Sequence, residues 1–143
     1  MTLKVYDANQ VSIIVGNILI EEGYDDGEFL TIEYDEDSYI HKVSTDGMGT
    51  RSKTNNDAAT VTIKLIQSSP ANDGLTALWT LDRNANNGAG VVPLLINDKS
   101  GRSVYTALEC WIQKQPDISF DREATVREWT IKVNALVPYT AGN

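Results

Sequence analysis

Side chains able to do chemistry are few and scattered. His41 is the only histidine, which excludes a multi-histidine metal cluster and leaves a histidine-based triad one candidate base. It lies between Ile40 and Lys42 with no nucleophile motif beside it, and catalysis needs converging groups, so it reads as a surface or arm-base residue. Two acid-rich stretches, Asp25-Asp26-Gly27-Glu28 and Asp35-Glu36-Asp37, offer the oxygen ligands that calcium favours. Neither satisfies the twelve-residue loop with its central glycine and final glutamate. Paired carboxylates for glycoside hydrolysis are defined by a separation in space, so Asp35, Asp37 and Glu109 are arbitrary candidates for an acid-pair hydrolase. A solvated acidic face is the simpler reading of these acids. Gly47-Met48-Gly49 lacks the lysine signature and the strand–glycine–helix setting of a phosphate loop. Cys110, the single cysteine, has no intramolecular partner and sits near Leu108 and Trp111-Ile112 as a small apolar strand residue. These residues point to no catalytic centre, no metal and no cofactor.

The most distinctive segment is instead a loop. Ser44 to Ala59 reads STDGMGTRSKTNNDAA, almost wholly polar and set between two strand-like runs. Hairpin loops in compact domains usually hold about two to five residues, and much longer ones tend to be functional or disordered. Its mixed charges, Asp46, Arg51, Lys53 and Asp57, stand with Gly47, Met48 and hydrogen-bonding groups such as Thr50, Ser52, Thr54, Asn55 and Asn56. That composition suits a wet, polar subunit interface. Extended as a hairpin, half its length at ~3.3 Å per residue reaches roughly 25 Å, enough to cross a subunit boundary.

The elements that must carry this arm are mainly strands. Val11–Val15 and Ile18–Ile20 flank Gly16-Asn17, a pair suited to a two-residue hairpin turn. After the acidic loop Glu21–Glu28, the run Phe29–Val43 sets Ile32 and Tyr34 against Glu33, Asp35 and Asp37, and Val61, Ile63 and Leu65 alternate with Thr62 and Lys64; both have the period of half-buried strands. One helix is expected over about residues 70–83. Ser68-Ser69 precede Pro70 as cap and first helical residue, and Leu75, Leu78 and Trp79 recur at helical spacing. Further strands follow at Val91–Ile96 and, after the tight turn Asn97–Arg102, at Ser103–Lys114 with Val104, Leu108, Cys110 and Ile112 inward. Ile118–Phe120 is a short strand, Ala124–Val133 turns Trp129, Ile131 and Val133 to one face, and Pro138–Asn143 is a frayed tail. The sum is a mainly β chain, a β-sandwich or small barrel with one flanking helix and a long polar hairpin arm.

The totals agree with one domain spanning residues 1–143. Hydrophobic content of 41% and charged content of 22% are those of an ordinary globular chain. The net charge of −8 opposes a surface that grips nucleic acid, which needs clustered Lys and Arg, and does not exclude one past which DNA slides without sticking. Neither a signal-peptide core nor an apolar run near the ~20 residues of a membrane span is visible.

Several segments together resemble the tail tube proteins of contractile-tailed bacteriophages. They are Asp35-Glu36-Asp37-Ser38, Lys42-Val43, Asp46-Gly47, Arg51-Ser52-Lys53, Leu65 to Asn72 (LIQSSPAN), Gly101-Arg102, Trp111 to Asp117 (WIQKQPD) and Arg127-Glu128-Trp129-Thr130. Each is weak alone; their order over about residues 10–137 is specific. The resemblance implies a β-sandwich or barrel with a flanking helix, a plan shared with the type VI secretion tube protein. It further implies a structural virion component rather than an enzyme, made in the bacterial host cytoplasm without a membrane anchor. Such subunits form hexameric rings that stack into a hollow tube, with sheath, baseplate and tape-measure proteins as partners and DNA passing through the lumen. On that plan the arm is the contact to the adjacent ring, and Glu33, Asp35 and Glu128 are the candidate lumen-facing acids. Alternatives are a baseplate or tail-terminating ring, a bacterial injection-tube subunit, or a carbohydrate-binding β-sandwich using Trp79, Trp111 and Trp129.

Overall fold

The computed structural model describes residues 2–142; Met1 and Asn143, the two ends of the chain as read above, lie outside the described residues. Ten strands and one helix follow a short 3-10 turn. They are β1 (Val11–Val15), β2 (Ile18–Ile20), β3 (Leu30–Tyr34), β4 (Tyr39–Val43), β5 (Gly49–Lys53), β6 (Ala59–Ile66), α1 (Ala71–Asn84), β7 (Val92–Asp98), β8 (Val104–Lys114), β9 (Val126–Val133) and β10 (Val137–Tyr139). Eight strands form one antiparallel sheet in the order β2-β1-β7-β8-β9-β6-β3, with β10 beside β8, while β4 and β5 pair only with each other.

Alternation dictates the core. In β6, Ala59, Val61, Ile63 and Leu65 are fully buried, and in β9 Trp129, Ile131 and Val133 face the same way, in register with Ile63, Val61 and Ala59. Ile13 and Val15 of β1, Ile20 of β2, and Leu94 and Ile96 of β7 join the same cluster. One sheet therefore encloses one core, which requires it to curl. The segment after β2 fastens the curl: Ile66 N–H donates to Gly23 O at 2.8 Å and Asp25 N–H to Lys64 O at 3.0 Å. Tyr24 between them reaches back across the core, its hydroxyl 2.7 Å from Val11 O and 2.8 Å from Ile20 O, and its ring stacks on Phe29 at 4.2 Å. Burial, with Glu21 adding to it, raises the Tyr24 pKa and keeps the phenol a donor.

Helix α1 lies against β2 and β8. The helix starts one residue later than expected: Pro70, with helical dihedrals, is its N-cap and not its first residue, no side chain caps it, and Ser69 Oγ accepts only a 3.4 Å contact from the Ala71 N–H. Leu75 is buried, Leu78 and Trp79 pack on the core, and Asn72 Oδ1 accepts the Trp129 indole N–H at 2.9 Å. That bond lets a tryptophan enter the core without an unpaired donor. Of the three tryptophans only Trp129 is wholly enclosed; Trp79 and Trp111 are half-buried.

Four local expectations are corrected. The run Phe29–Val43 is two strands, because the turn-forming residues Asp35–Ser38 end β3 and send β4 off the sheet. In β8 a bulge lies between the Leu94–Ala107 and Val92–Cys110 pairs. Before it Tyr105 and Ala107 face inward, after it Cys110 and Ile112 do, and so Val104 and Leu108 point outward, Leu108 being 88% exposed. Ile118–Phe120 is not a strand, since its neighbours β8 and β9 already pair with each other; Phe120 projects outward with Arg127 over its ring at 5.5 Å. The described part of the tail is tied down, not frayed: β10 pairs with β8, and Ser103 Oγ donates to Ala141 O at 2.9 Å and accepts from Ala141 N–H at 3.0 Å.

Two outcomes test this account. Tyr24→Phe should lower unfolding stability by about 1–3 kcal/mol in thermal denaturation, the usual cost of leaving buried carbonyls short of a donor. Cys110 is buried and its pKa is pushed up to about 12 by desolvation; it should stay inert to a thiol reagent in the native protein and react stoichiometrically once denaturant unfolds the sheet.

Candidate assembly interface

Two surfaces left over by the core can meet a partner. The first is the arm. β4 and β5 pair from Tyr39–Lys53 to Val43–Gly49, and every residue from Tyr39 to Lys53 is exposed. The arm thus starts well before Ser44 and ends before Ala59: Ser44–Met48 is its tip and Gly49–Lys53 its descending strand, while the expected loop Ser44–Ala59 overruns it, since Ala59 is already a buried residue of β6. At the tip Ser44 N–H donates to Met48 O at 2.9 Å and Gly47 N–H to Ser44 O at 3.0 Å, while Gly47 has φ +91°, a conformation that suits glycine. Asp46 accepts from the Ser44 hydroxyl and the Met48 N–H, and these bonds hold its pKa below the ordinary carboxylate value. The base is closed by Thr54 N–H to Ser38 O at 2.8 Å and Asp35 N–H to Ala58 O at 3.0 Å.

Cross-strand partners share a face, so Ile40 and Lys42 lie with Thr50 and Ser52 on one side, and Tyr39, His41 and Val43 with Arg51 and Lys53 on the other. The Arg51 guanidinium sits 4.2 Å from the Tyr39 ring centre. Met48 and Ile40 are 68% and 60% exposed. Asn55 and Asp57 belong to the extended return to β6, where Leu136 N–H bonds Asp57 O at 3.0 Å. Sequence reasoning missed the ascending half, Tyr39 to Val43, although the signal was present: Asp35-Glu36-Asp37-Ser38 is a turn composition inside an otherwise strand-like run.

The second surface is the outer face of β3, β6, β9 and β8. Glu33, Thr60 and Lys132 form one rung, continued by Trp111; Thr31, Thr62, Thr130 and Lys114 form another; Lys64 stands directly opposite Glu128. The three candidate acids Glu33, Asp35 and Glu128 therefore do share a face, but three lysines share it with them. Asp35 accepts from Lys132 Nζ and from Thr60 Oγ1; the Lys132 bond is the largest cause holding its pKa down, desolvation opposes it, and the weaker Thr60 bond adds to the lowering. The face is charge-balanced and rich in threonine, and its lysines were the part not picked out from sequence. Neither surface gathers groups in the manner of a catalytic site, and among the described residues no set of three His, Cys, Asp or Glu side chains is placed to hold a metal.

Family comparison decides what such a molecule is. The model of the bacteriophage PhiTE tail tube protein family matches residues 8–137. The chain belongs to that tail tube family. A structural protein, ORF10, of Pseudomonas phage KPP10 is 31% identical over 145 residues, spanning 98% of this chain and 84% of that one. Solved folds agree at low identity. The tube-terminating cap of the anti-feeding prophage superposes with a TM-score of 0.61 at 12% identity, covering 99% of this chain and 95% of the cap. The sheath/tube terminator of an extracellular contractile injection system, PVC, gives 0.60 at 15% identity, with 98% of each chain covered. A chain of the PVC sheath-tube complex in its extended state gives 0.56 at 13% identity over 96% and 93%. The protein thus has a tail tube-related structural role in a phage virion tail, and the mainly β fold with one helix expected from sequence is the family's.

The Asp35–Lys132 contact has a pH signature. A carboxylate whose folded pKa is depressed contributes stability that is present above its unfolded value, ordinarily 3.8, and lost as pH falls below that toward the folded value. Wild type should exceed Asp35→Asn in thermal midpoint at neutral pH, and the gap should close as the solution is acidified below 3.8; a gap independent of pH would remove the ion pair from the account.

Proposed function

We propose that the chain is the repeating subunit of the inner tube of a contractile phage tail, assembled in the host cytoplasm as hexameric rings stacked into a hollow conduit, with no catalytic role. The observation that carries this reading is an arm without a single buried residue on a chain whose family is a tail tube family. An isolated two-stranded hairpin is marginally stable in water, so the arm needs a surface to fold against, and the adjacent ring supplies one. Free edges of β2 and β3 need pairing or protection, and side-by-side association in a ring removes them. The charge-balanced face with Glu33, Asp35 and Glu128 is the wall proposed for the lumen, since phosphate finds no uncompensated basic cluster there to bind. Helix α1 and its flanking loops, on the far side of β2 and β8, are then left for a sheath. Tape-measure and baseplate proteins complete the partners that this role requires.

A second reading is favoured by the likeness to a cap and a terminator: a single ring that closes a tube. Assembly separates the two. Purified protein at rising concentration should give hollow tubes of open-ended length by negative-stain electron microscopy; rings that never stack would favour the terminator. Replacing Asp37–Asn56 with a short glycine-serine link should leave the unfolding free energy within about 0.5 kcal/mol of wild type, as for exposed positions generally, and abolish tubes. Normal tubes from that variant would sink the arm's part in the proposal.

A further inference from the structure

The arm and the body carry opposite charge. Between Tyr39 and Lys53 stand Lys42, Arg51 and Lys53 against Asp46 alone, a net of +2; the rest of the chain holds nine Lys and Arg against nineteen Asp and Glu, a net of −10. Among the described residues none of the three basic side chains is paired with a carboxylate, Arg51 lying over the Tyr39 ring instead. Ion pairs among the described residues join Lys99 to Glu21, Lys114 to Asp117 and Lys132 to Asp35, and none involves the arm. Lys42 lies on one face of the ribbon and Arg51 and Lys53 on the other, so the arm presents positive charge in both directions.

From this we infer that the arm is an electrostatic plug whose socket is the acidic body of a second copy of the same chain. The inference rests on the stacking reading above and adds what drives and orients it. A basic arm repels another basic arm and is drawn to an acidic body, so arm-to-arm pairing between facing rings is disfavoured and arm-to-body contact is selected. That contact is heterologous: one surface of a subunit meets a different surface of the next, which propagates rather than closing as a two-fold dimer. Exposed apolar groups, Ile40 and Met48, then supply contact area once the charges have steered the approach.

The test uses full-length protein and the variant carrying Lys42→Gln, Arg51→Gln and Lys53→Gln, whose exposed positions leave the body's thermal midpoint unchanged. Stacking of wild type is followed by sedimentation and electron microscopy between about 50 mM and about 500 mM salt, over which the screening length falls below about 5 Å. The expected result is a rise of about tenfold or more in the concentration needed for tubes, and unstacked rings from the triple variant even at low salt. A photo-cross-linking residue at Thr50, in a mixture of isotopically light and heavy protein, should join one copy's arm to an acidic-body peptide of another. If wild type forms tubes that ignore salt, if the triple variant stacks normally, or if the cross-links run arm to arm, the electrostatic plug is wrong and the tube reading stands. Rings or monomers from wild type at every salt concentration would overturn both.

Discussion

The fold depends on the crossing made by Tyr24. An antiparallel sheet of this length has two free ends, and its inner face is covered only if the ends come together over it. Tyr24 does this from a short segment that pairs with β6 through its backbone and bonds β1 and β2 through its hydroxyl. The aromatic ring packs on the core and stacks on Phe29, and its single hydroxyl proton is shared between the Val11 and Ile20 carbonyls. Removing backbone groups from water is tolerated only when each finds a partner, and one side chain provides that at the seam.

Closure also decides which surfaces remain for assembly. Once Ile13, Ile63, Ile131 and their neighbours occupy a single core, everything with a role outside it has to lie on the reverse of the sheet, on the helix, or beyond the sheet altogether. The reverse face became rungs of threonine, lysine and glutamate; the arm left the sheet. Two very different surfaces therefore follow from one packing solution, one rigid because its backbone is inside the main sheet, the other held only by its own five-rung ladder.

Much of this was legible in the residues. The alternation of Val61, Ile63 and Leu65 and of Trp129, Ile131 and Val133 located two central strands and their inward faces, and the Ser-Ser-Pro start located the helix. What escaped was non-local. A bulge in β8 exchanges faces in mid-strand, and nothing about Leu108 itself announces that; an even-numbered pattern correct for Cys110 and Ile112 already fails at Leu108, two residues before Cys110. Tyr24 sits in a loop of acids whose composition speaks only of solvent, and its role depends on β1, β2 and β6 arriving around it. The arm was found but misdivided, since Tyr39 to Val43 reads as strand in either setting and only pairing partners distinguish a sheet strand from a protruding one. Likewise Glu33, Asp35 and Glu128 could be assigned to a common face by period, whereas the lysines that offset them come from neighbouring strands.

The arm's lack of buried residues has a bearing on how the molecule changes over generations. Substitutions along β4 and β5 carry almost no folding penalty, so the arm is free to drift where the core is not. On the proposed contact with another copy of the chain, arm and socket are encoded in the same reading frame, so each mutation would appear at once in every subunit and a compensating change would need no second gene. Under that proposal a lineage would shift its own stacking code in small steps, and two related tubes growing in one cell would cease to mix long before their folds diverge.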